Sequence, residues 1–352
     1  MTAPPVHPVL APGEAQLGCE DLPAALAFFV GELGFRIEAI FPADEPQVAT
    51  LSGHGLRLRL APGGDPGALR LPSPDAGRVL VAPNGTRIEL VDPDPPLAVP
   101  ALAPQFVLTR VADGPAAGEG RAGMLYRDLI PGRLGGRFIA SHISIPEGGP
   151  VADWVHFHKV RFQMIFCRRG WVRLVYEDQG EPFVLAAGDF VLQPPRIRHR
   201  VLESSPGLEV VEIGCPALHE TLADHDMALP TGRALPDRDF GGQTFIRHVA
   251  EAAPWTPWAD GFEAQASGMA AATRGLAGVR VLRPAGGRGF DAVADPAGEL
   301  MFGFVLEGSG VLQHAGAHPL AACDAFVIPP GGAWGLAESS PDLRLLQVVL
   351  PA

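Results

Sequence analysis

The amino-acid sequence predicts a mainly β protein: two copies of one β-barrel domain in tandem, behind a small α+β module of strand, helix and further strands. Three observations lead there. Glycine and proline number 43 and 37 among 352 residues, so elements must be short and turns frequent, which favours sheets over long helices. From residue 105 onward, nearly every apolar run is a short β-type segment bounded by Gly, Pro or Asp. The chain also repeats itself. The segment "GDFVLQPPRIRHRVLESSPGLEVVEI" from Gly188 aligns without gaps to "CDAFVIPPGGAWGLAESSPDLRLLQV" from Cys323, and "QMIFCRRGWVRL" from Gln163 matches "MFGFVLEGSGVL" from Met301. The organisation read from this is a module and Pro-rich linker over 1–100, then barrels over 101–230 and 231–352, each a jelly roll.

Composition narrows the function classes. Apolar residues at 47% and charged residues at 19% describe a globular chain rather than a disordered one. The net charge of −12 and pI near 5.3 would repel nucleic acid and anionic membrane, so small molecules and proteins are the expected partners. Residues 1–13 carry four prolines, no basic cluster and no long apolar run, matching neither signal peptide nor membrane anchor; the expected address is cytoplasmic. Cys19, Cys167, Cys215 and Cys323 lie far apart with no C-x-x-C pair, against a zinc ribbon or redox dithiol.

In the N-terminal module, 14–19 reads as a strand and Asp21 as the cap of a helix over 22–30, with Pro23 early in the first turn. Segments 36–41, 47–51 and 56–60 read as strands, and 87–91 as a further one behind the Asn84-Gly85 turn. "EDLPAALAFFVGELGF" and "APNGTRIEL" resemble the first helix and last strand of a glyoxalase-type, or vicinal-oxygen-chelate, module of β-α-β-β-β order. That resemblance implies metal-ligand positions at Glu14 and Glu89, completed only by a second module; a scaffold or dimerisation role is the preferred expectation, and the chain is expected to be a homodimer. Residues 92–103, "DPDPPLAVPALA", read as a linker.

In the first barrel copy, strands are predicted over 136–145, 154–159, 163–168, 171–176, 183–185, 190–192 and 208–213. His156 and His158, one residue apart on a strand, project from the same face. Gln163 follows on the next strand, and His199 comes just after Pro194-Pro195. The pattern H-x-H, a polar residue, then G-D-x₄-P-x₄-H resembles the metal site of the cupin superfamily, and the resemblance extends over about 250 residues as a bicupin. It implies one divalent transition metal, iron first with zinc, manganese or nickel as alternatives, on His156, His158, Gln163 and His199. Two positions depart from the pattern: Gln163 stands where cupins most often have Glu, and Arg196 where the turn has Gly. Three histidines without a carboxylate are also the set used by cupin thiol dioxygenases and gentisate-type ring-cleaving dioxygenases.

The second copy has lost the set. The alignments put Ala294, Pro296, Met301 and Trp334 opposite His156, His158, Gln163 and His199, with Glu299 the nearest acid, so this barrel is expected to be structural or to hold an apolar compound beside Trp334. His142, His219 and His248 are read as core histidines, and Cys167 and Cys215 as packing residues. Arg161, Arg196 and Arg198 cluster near the ligand positions and are candidates to hold a substrate carboxylate. Three imidazoles and a carboxamide are neutral, so a divalent ion there keeps its full charge and favours an anionic oxygen-donor chelator. The first functional expectation is therefore a non-haem metal oxygenase, dioxygenase-like, acting on a small anionic compound. A non-catalytic small-molecule-binding or sensing bicupin, and a metal-dependent isomerase or cyclase, are the alternatives.

Overall fold

The computed structural model describes residues 13–113, 118–119, 123–294 and 298–351, and divides into compact units over 1–96 and 97–352. Among the described residues, no helix is long and apolar enough to cross a membrane.

In the smaller unit, the helix Leu22–Gly31 begins as the sequence indicates: the Asp21 carboxylate accepts the Ala24 N–H at 3.0 Å. Its Leu22, Ala25 and Phe29 are buried in one apolar cluster with Leu51, Leu58 and Leu60 of a four-stranded sheet. In that sheet Ala15–Gly18 runs parallel to Leu56–Ala61, followed by Val48–Gly53 and, at the edge, Arg36–Phe41. Arg87–Val91 does not join it. That strand lies parallel to Ala68–Pro72 and antiparallel to Val79–Val81 in a second, three-stranded sheet. The two strands missing from the sequence reading, Ala68–Pro72 and Val79–Val81, are five and three residues long, too short for a clear period-2 signal. Gly85, at φ +90°, makes the tight turn into Arg87–Val91.

In the larger unit, each barrel is two facing sheets. The first barrel's longer sheet is built on Phe162–Arg169, flanked by Phe190–Leu192 and Leu208–Cys215 and continued by Ile139–Ile145 and Leu125–Asp128. Its other sheet runs Phe183–Ala186, Trp171–Tyr176, His199–Ser204, His156–His158, Thr221–Ala223. The second barrel repeats this with Gly298–Glu307 between Ala325–Ile328 and Arg344–Pro351, faced by Phe290–Ala294, Ala333–Ala337, Ser309–Gln313 and Ala317–Ala321. The registers agree: Leu174 pairs Val201 in one barrel, and Leu312 pairs Leu336 in the other. The fold class is thus mainly β, two tandem cupin-type jelly rolls behind an α+β module.

The barrels exchange edge strands. Val107–Thr109, which precedes all of the first barrel's strands, pairs with Ala325–Ile328 of the second, while Ile246–His248 pairs with Phe190–Leu192 of the first. Phe162, Phe166 and Ile213 share one buried cluster with Phe302, Phe304 and Leu346. At about 1.5–3 kcal/mol for each large side chain withdrawn from water, this contact holds the two barrels together in one compact unit.

Candidate metal centre

His156 and His158 flank Phe157 on a strand of three residues, and both are buried because the pleat turns alternate side chains into the barrel. His199 begins the neighbouring strand and pairs directly with His156. The ring centroids lie 4.3 Å apart for His156 and His199, 5.3 Å for His156 and His158, and 5.4 Å for His158 and His199. One ligand nitrogen from each falls within 4.8 Å of the others.

The backbone sets each imidazole's tautomer. The Nδ1 of His156 meets the Trp154 carbonyl at 2.8 Å, that of His158 the Glu220 carbonyl at 3.1 Å, and that of His199 the Ile197 carbonyl at 3.0 Å. A carbonyl only accepts, so every Nδ1 carries a proton, and in the neutral imidazole Nε2 is then the basic nitrogen. Asp153, also buried, lies 3.5 Å from the His156 Nδ1 and is itself held by the Val201 N–H at 2.9 Å. Three imidazoles oriented in this way are, in their neutral form, the donor set that suits a divalent transition metal, with coordination positions left for other ligands.

Gln163 lies in the same cavity, on the facing sheet. Its amide donates to the Glu212 carboxylate at 2.6 Å, so only its carbonyl oxygen remains as a metal donor. Glu212 lines the cavity and was not singled out from the sequence. Its signal was in the repeat, where Glu212 aligns with Gln347; an acid on an alternating strand, like Glu209 on this one, otherwise reads as a solvent-facing residue. Gln193 donates to the Tyr176 hydroxyl at 2.9 Å, and burial pushes that phenol well above its usual range, so it stays neutral. The cavity measures about 100 Å³, room for a small organic molecule.

The three arginines are placed otherwise than the sequence suggested; none of them lines the cavity. Arg161 donates to Glu299 of the second barrel at 2.7 and 2.8 Å, joined there by Arg137 at 2.7 Å. Arg198 bonds Asp224 at 3.0 Å and lies over the Phe157 ring. Arg196 holds φ +64°, the left-handed conformation for which a glycine is expected, and its backbone N–H donates to the His158 carbonyl at 2.9 Å. Arg161 and Arg198 are close to the site in sequence, and their acidic partners, Glu299 and Asp224, hold them elsewhere.

The second barrel is filled at the equivalent place. Trp334 is 1% exposed and packs on Phe290 at 5.2 Å and Phe326 at 6.0 Å, with Met301 in the same cluster. Its register partner is Val293, as His156 is that of His199; an irregularity between Phe290 and Val293 moves the counterpart of His156 one residue from Ala294. Pro296 lies outside the described residues.

Other candidate groups have different partners. Glu14 pairs with Arg57 at 2.9 Å and Glu89 with Arg70 at 3.4 Å. Between the barrels, His142, Glu209 and Cys323 approach one another, but Arg168 and His142 already take the Glu209 carboxylate, and burial pushes the Cys323 thiol up. Cys167 is buried, with its thiol pushed up to about 12, and Cys215 is shifted in the same direction by burial, the environment of packing thiols. His219 sits 5.3 Å from His158, its Nδ1 on the Pro216 carbonyl, and His248 stacks on Phe190.

The architecture is that of a bicupin, and solved structures share it. The chain superposes on Ylba from E. coli with TM-score 0.52 and 11% identity, covering 72% of this chain and 94% of that one. For Bacillus subtilis oxalate decarboxylase the values are 0.53, 12%, 74% and 80%. For the salicylate 1,2-dioxygenase of Pseudaminobacter salicylatoxidans they are 0.51, 16%, 72% and 86%. Such identities establish the fold alone. No protein-family model matches the chain, and no curated protein matches it in sequence.

Proposed function

We propose that the protein is a metal-dependent bicupin in which His156, His158 and His199 hold one divalent transition metal, with Gln163 beside them, and that it oxidises a small organic chelator with O₂. The observation that carries this reading is the trio of buried imidazoles, each with Nδ1 tied to a carbonyl and one nitrogen of each within 4.8 Å of the others, lining a cavity of about 100 Å³. Iron is the first choice, with zinc, manganese and nickel as alternatives. The structural neighbours include a protein described as a salicylate dioxygenase and another described with Mn(II) centres. When bound, the metal supplies Lewis acidity and, as iron, a centre for O₂ chemistry. The chain's own groups do the rest. The backbone carbonyls and Asp153 fix the imidazoles, the apolar walls exclude bulk water, and Gln193 with Tyr176 offers neutral polarity beside His199. The substrate meets the metal as an anionic oxygen donor.

The test is to load purified protein with Fe(II), Mn(II) or Zn(II) and follow O₂ uptake with a panel of chelating acids, phenols and diketones. Consumption with a redox-active metal and none with zinc is expected. Turnover of a substrate without O₂ would favour the isomerase or cyclase reading, and binding without turnover the sensing one.

A further inference from the structure

One polar pair in the wall of the first barrel's cavity stands apart from the metal-ligand set. Tyr176 and Gln193 both line the cavity, at 1% and 5% exposure, and the Gln193 amide nitrogen donates to the Tyr176 hydroxyl at 2.9 Å. That bond occupies a lone pair of the phenol oxygen and leaves the hydroxyl's own proton to be donated elsewhere. No described residue accepts it. Glu212, the carboxylate of the lining, meets the Gln163 amide, and Asp153, outside the lining, takes the Val201 N–H beside His156. A buried donor left without an acceptor is costly, so the proton is held for something that enters the cavity.

The pair belongs to the histidine site. Tyr176 pairs in register with His199, which pairs in turn with His156, so the three side chains form one row on the same face of the sheet. The phenol ring stacks on the His199 imidazole with centroids 5.4 Å apart, and Phe245 at 4.7 Å and Phe183 at 5.9 Å fix it from other sides. The repeat gives an independent indication. Gln193 aligns with Ile328, and the alignment from Gln163, carried two residues further, puts Tyr176 on His314. Ile328 is part of the second barrel's apolar core, and His314 turns its Nδ1 to the Ala333 carbonyl at 2.8 Å. The barrel that lost the three ligands has lost this pair as well.

Resting on the metal-centre reading above, we propose that Tyr176 is a catalytic residue of this site, whose hydroxyl donates a hydrogen bond to an oxygen atom of the substrate bound beside His199. Gln193 is the positioning residue, which fixes the hydroxyl by occupying its lone pair. The bond is strongest where the accepting oxygen carries negative charge, and it requires no rearrangement because both side chains are already in place. A nitrogen donor whose lone pair goes to the metal has nothing left to accept with and gains nothing from Tyr176.

The experiment uses full-length protein loaded with Co(II), whose visible absorption reports on the coordination sphere. Acetohydroxamate, whose oxygens accept hydrogen bonds, and imidazole, whose lone pair goes to the metal, are titrated as probes. Tyr176→Phe should weaken acetohydroxamate about tenfold while changing the affinities of imidazole and of Co(II) itself by less than about twofold. The double variant Tyr176→Phe/Gln193→Leu removes both polar groups, leaves no amide unpaired and should show the same separation, with far-UV circular dichroism confirming the fold of each variant. A tyrosine that only packs would affect both probes alike or neither, and either result in the folded variants would overturn the assignment. Failure of the loaded wild type to bind acetohydroxamate would overturn it too. Absence of protein-bound Co(II) bands would overturn the metal centre itself and the role of Tyr176 with it, so the two failures are distinguishable.

Discussion

Where the first barrel places His199, the second places Trp334, at the same distance from the Pro-Pro turn and against the corresponding strand. The histidine leaves a cavity in its barrel, and the tryptophan closes the one in its own. The same exchange recurs one sheet away, where Gln163 beside Glu212 answers to Met301 beside Gln347. A jelly roll can therefore hold a polar site or be packed solid through changes at a few inward positions, because the strand register fixes which side chains meet at the centre. The packed barrel still serves the other one. Its Glu299 grips Arg161, on the segment between His158 and Gln163, and its strand Val107–Thr109 comes from ahead of the first barrel.

The contrast can be broken first at its aromatic end. Trp334→Ala should cost about 3–5 kcal/mol of stability by opening a cavity among Phe290, Phe326 and Met301. His199→Ala should change the metal-free protein by only about 1 kcal/mol but abolish the rise in Tm that metal produces. Denaturant melts of both variants, with and without metal, measure the difference; similar losses from the two would contradict it.

The link between the barrels comes next. Burial alone would raise the Glu299 carboxyl, but hydrogen bonds from Arg161 and Arg137 hold it below its ordinary value. A depressed carboxyl contributes stability above its unfolded pKa and loses it as pH falls through the folded one, so the contribution is complete at neutral pH and disappears on strong acidification. Glu299→Gln should cost about 2 kcal/mol at pH 7, discounted for partly exposed arginines, and should flatten the acid limb of the stability curve. Urea titrations from pH 3 to 7 would show this. A weaker metal affinity in the same variant would show that the clamp reaches the site.

The smallest effect sharpens the repeat. Arg196 holds a left-handed backbone where the second copy has Gly331, at φ +74°. Arg196→Gly should stabilise the protein by about 0.5–1 kcal/mol with metal binding retained, since relief of backbone strain outweighs the looser unfolded chain.

Much of this was legible in the sequence, for identifiable reasons. Alternation put His156 and His158 on one face, and the repeat located both the turn before His199 and its loss at Trp334. Features that depend on partners could not be read locally. The exchange of Val107–Thr109 and Ile246–His248 depends on which sheet edge is vacant. Where Arg161 and Arg198 point depends on Glu299 and Asp224, residues distant in the chain. Glu212 shares its strand with apolar residues and declares itself only through Gln163, one strand over. Its presence also revises the expectation of an uncompensated divalent charge, which rested on the ligands alone.

The central claim is that one barrel holds metal and the other cannot. Metal analysis by mass spectrometry on wild type, on His156→Ala/His158→Ala and on Met301→Ala/Trp334→Phe tests it most directly. The account predicts close to one equivalent per chain in the wild type and in the second-barrel variant, and none in the double-histidine variant. Two equivalents in the wild type, or one retained without His156 and His158, would contradict it.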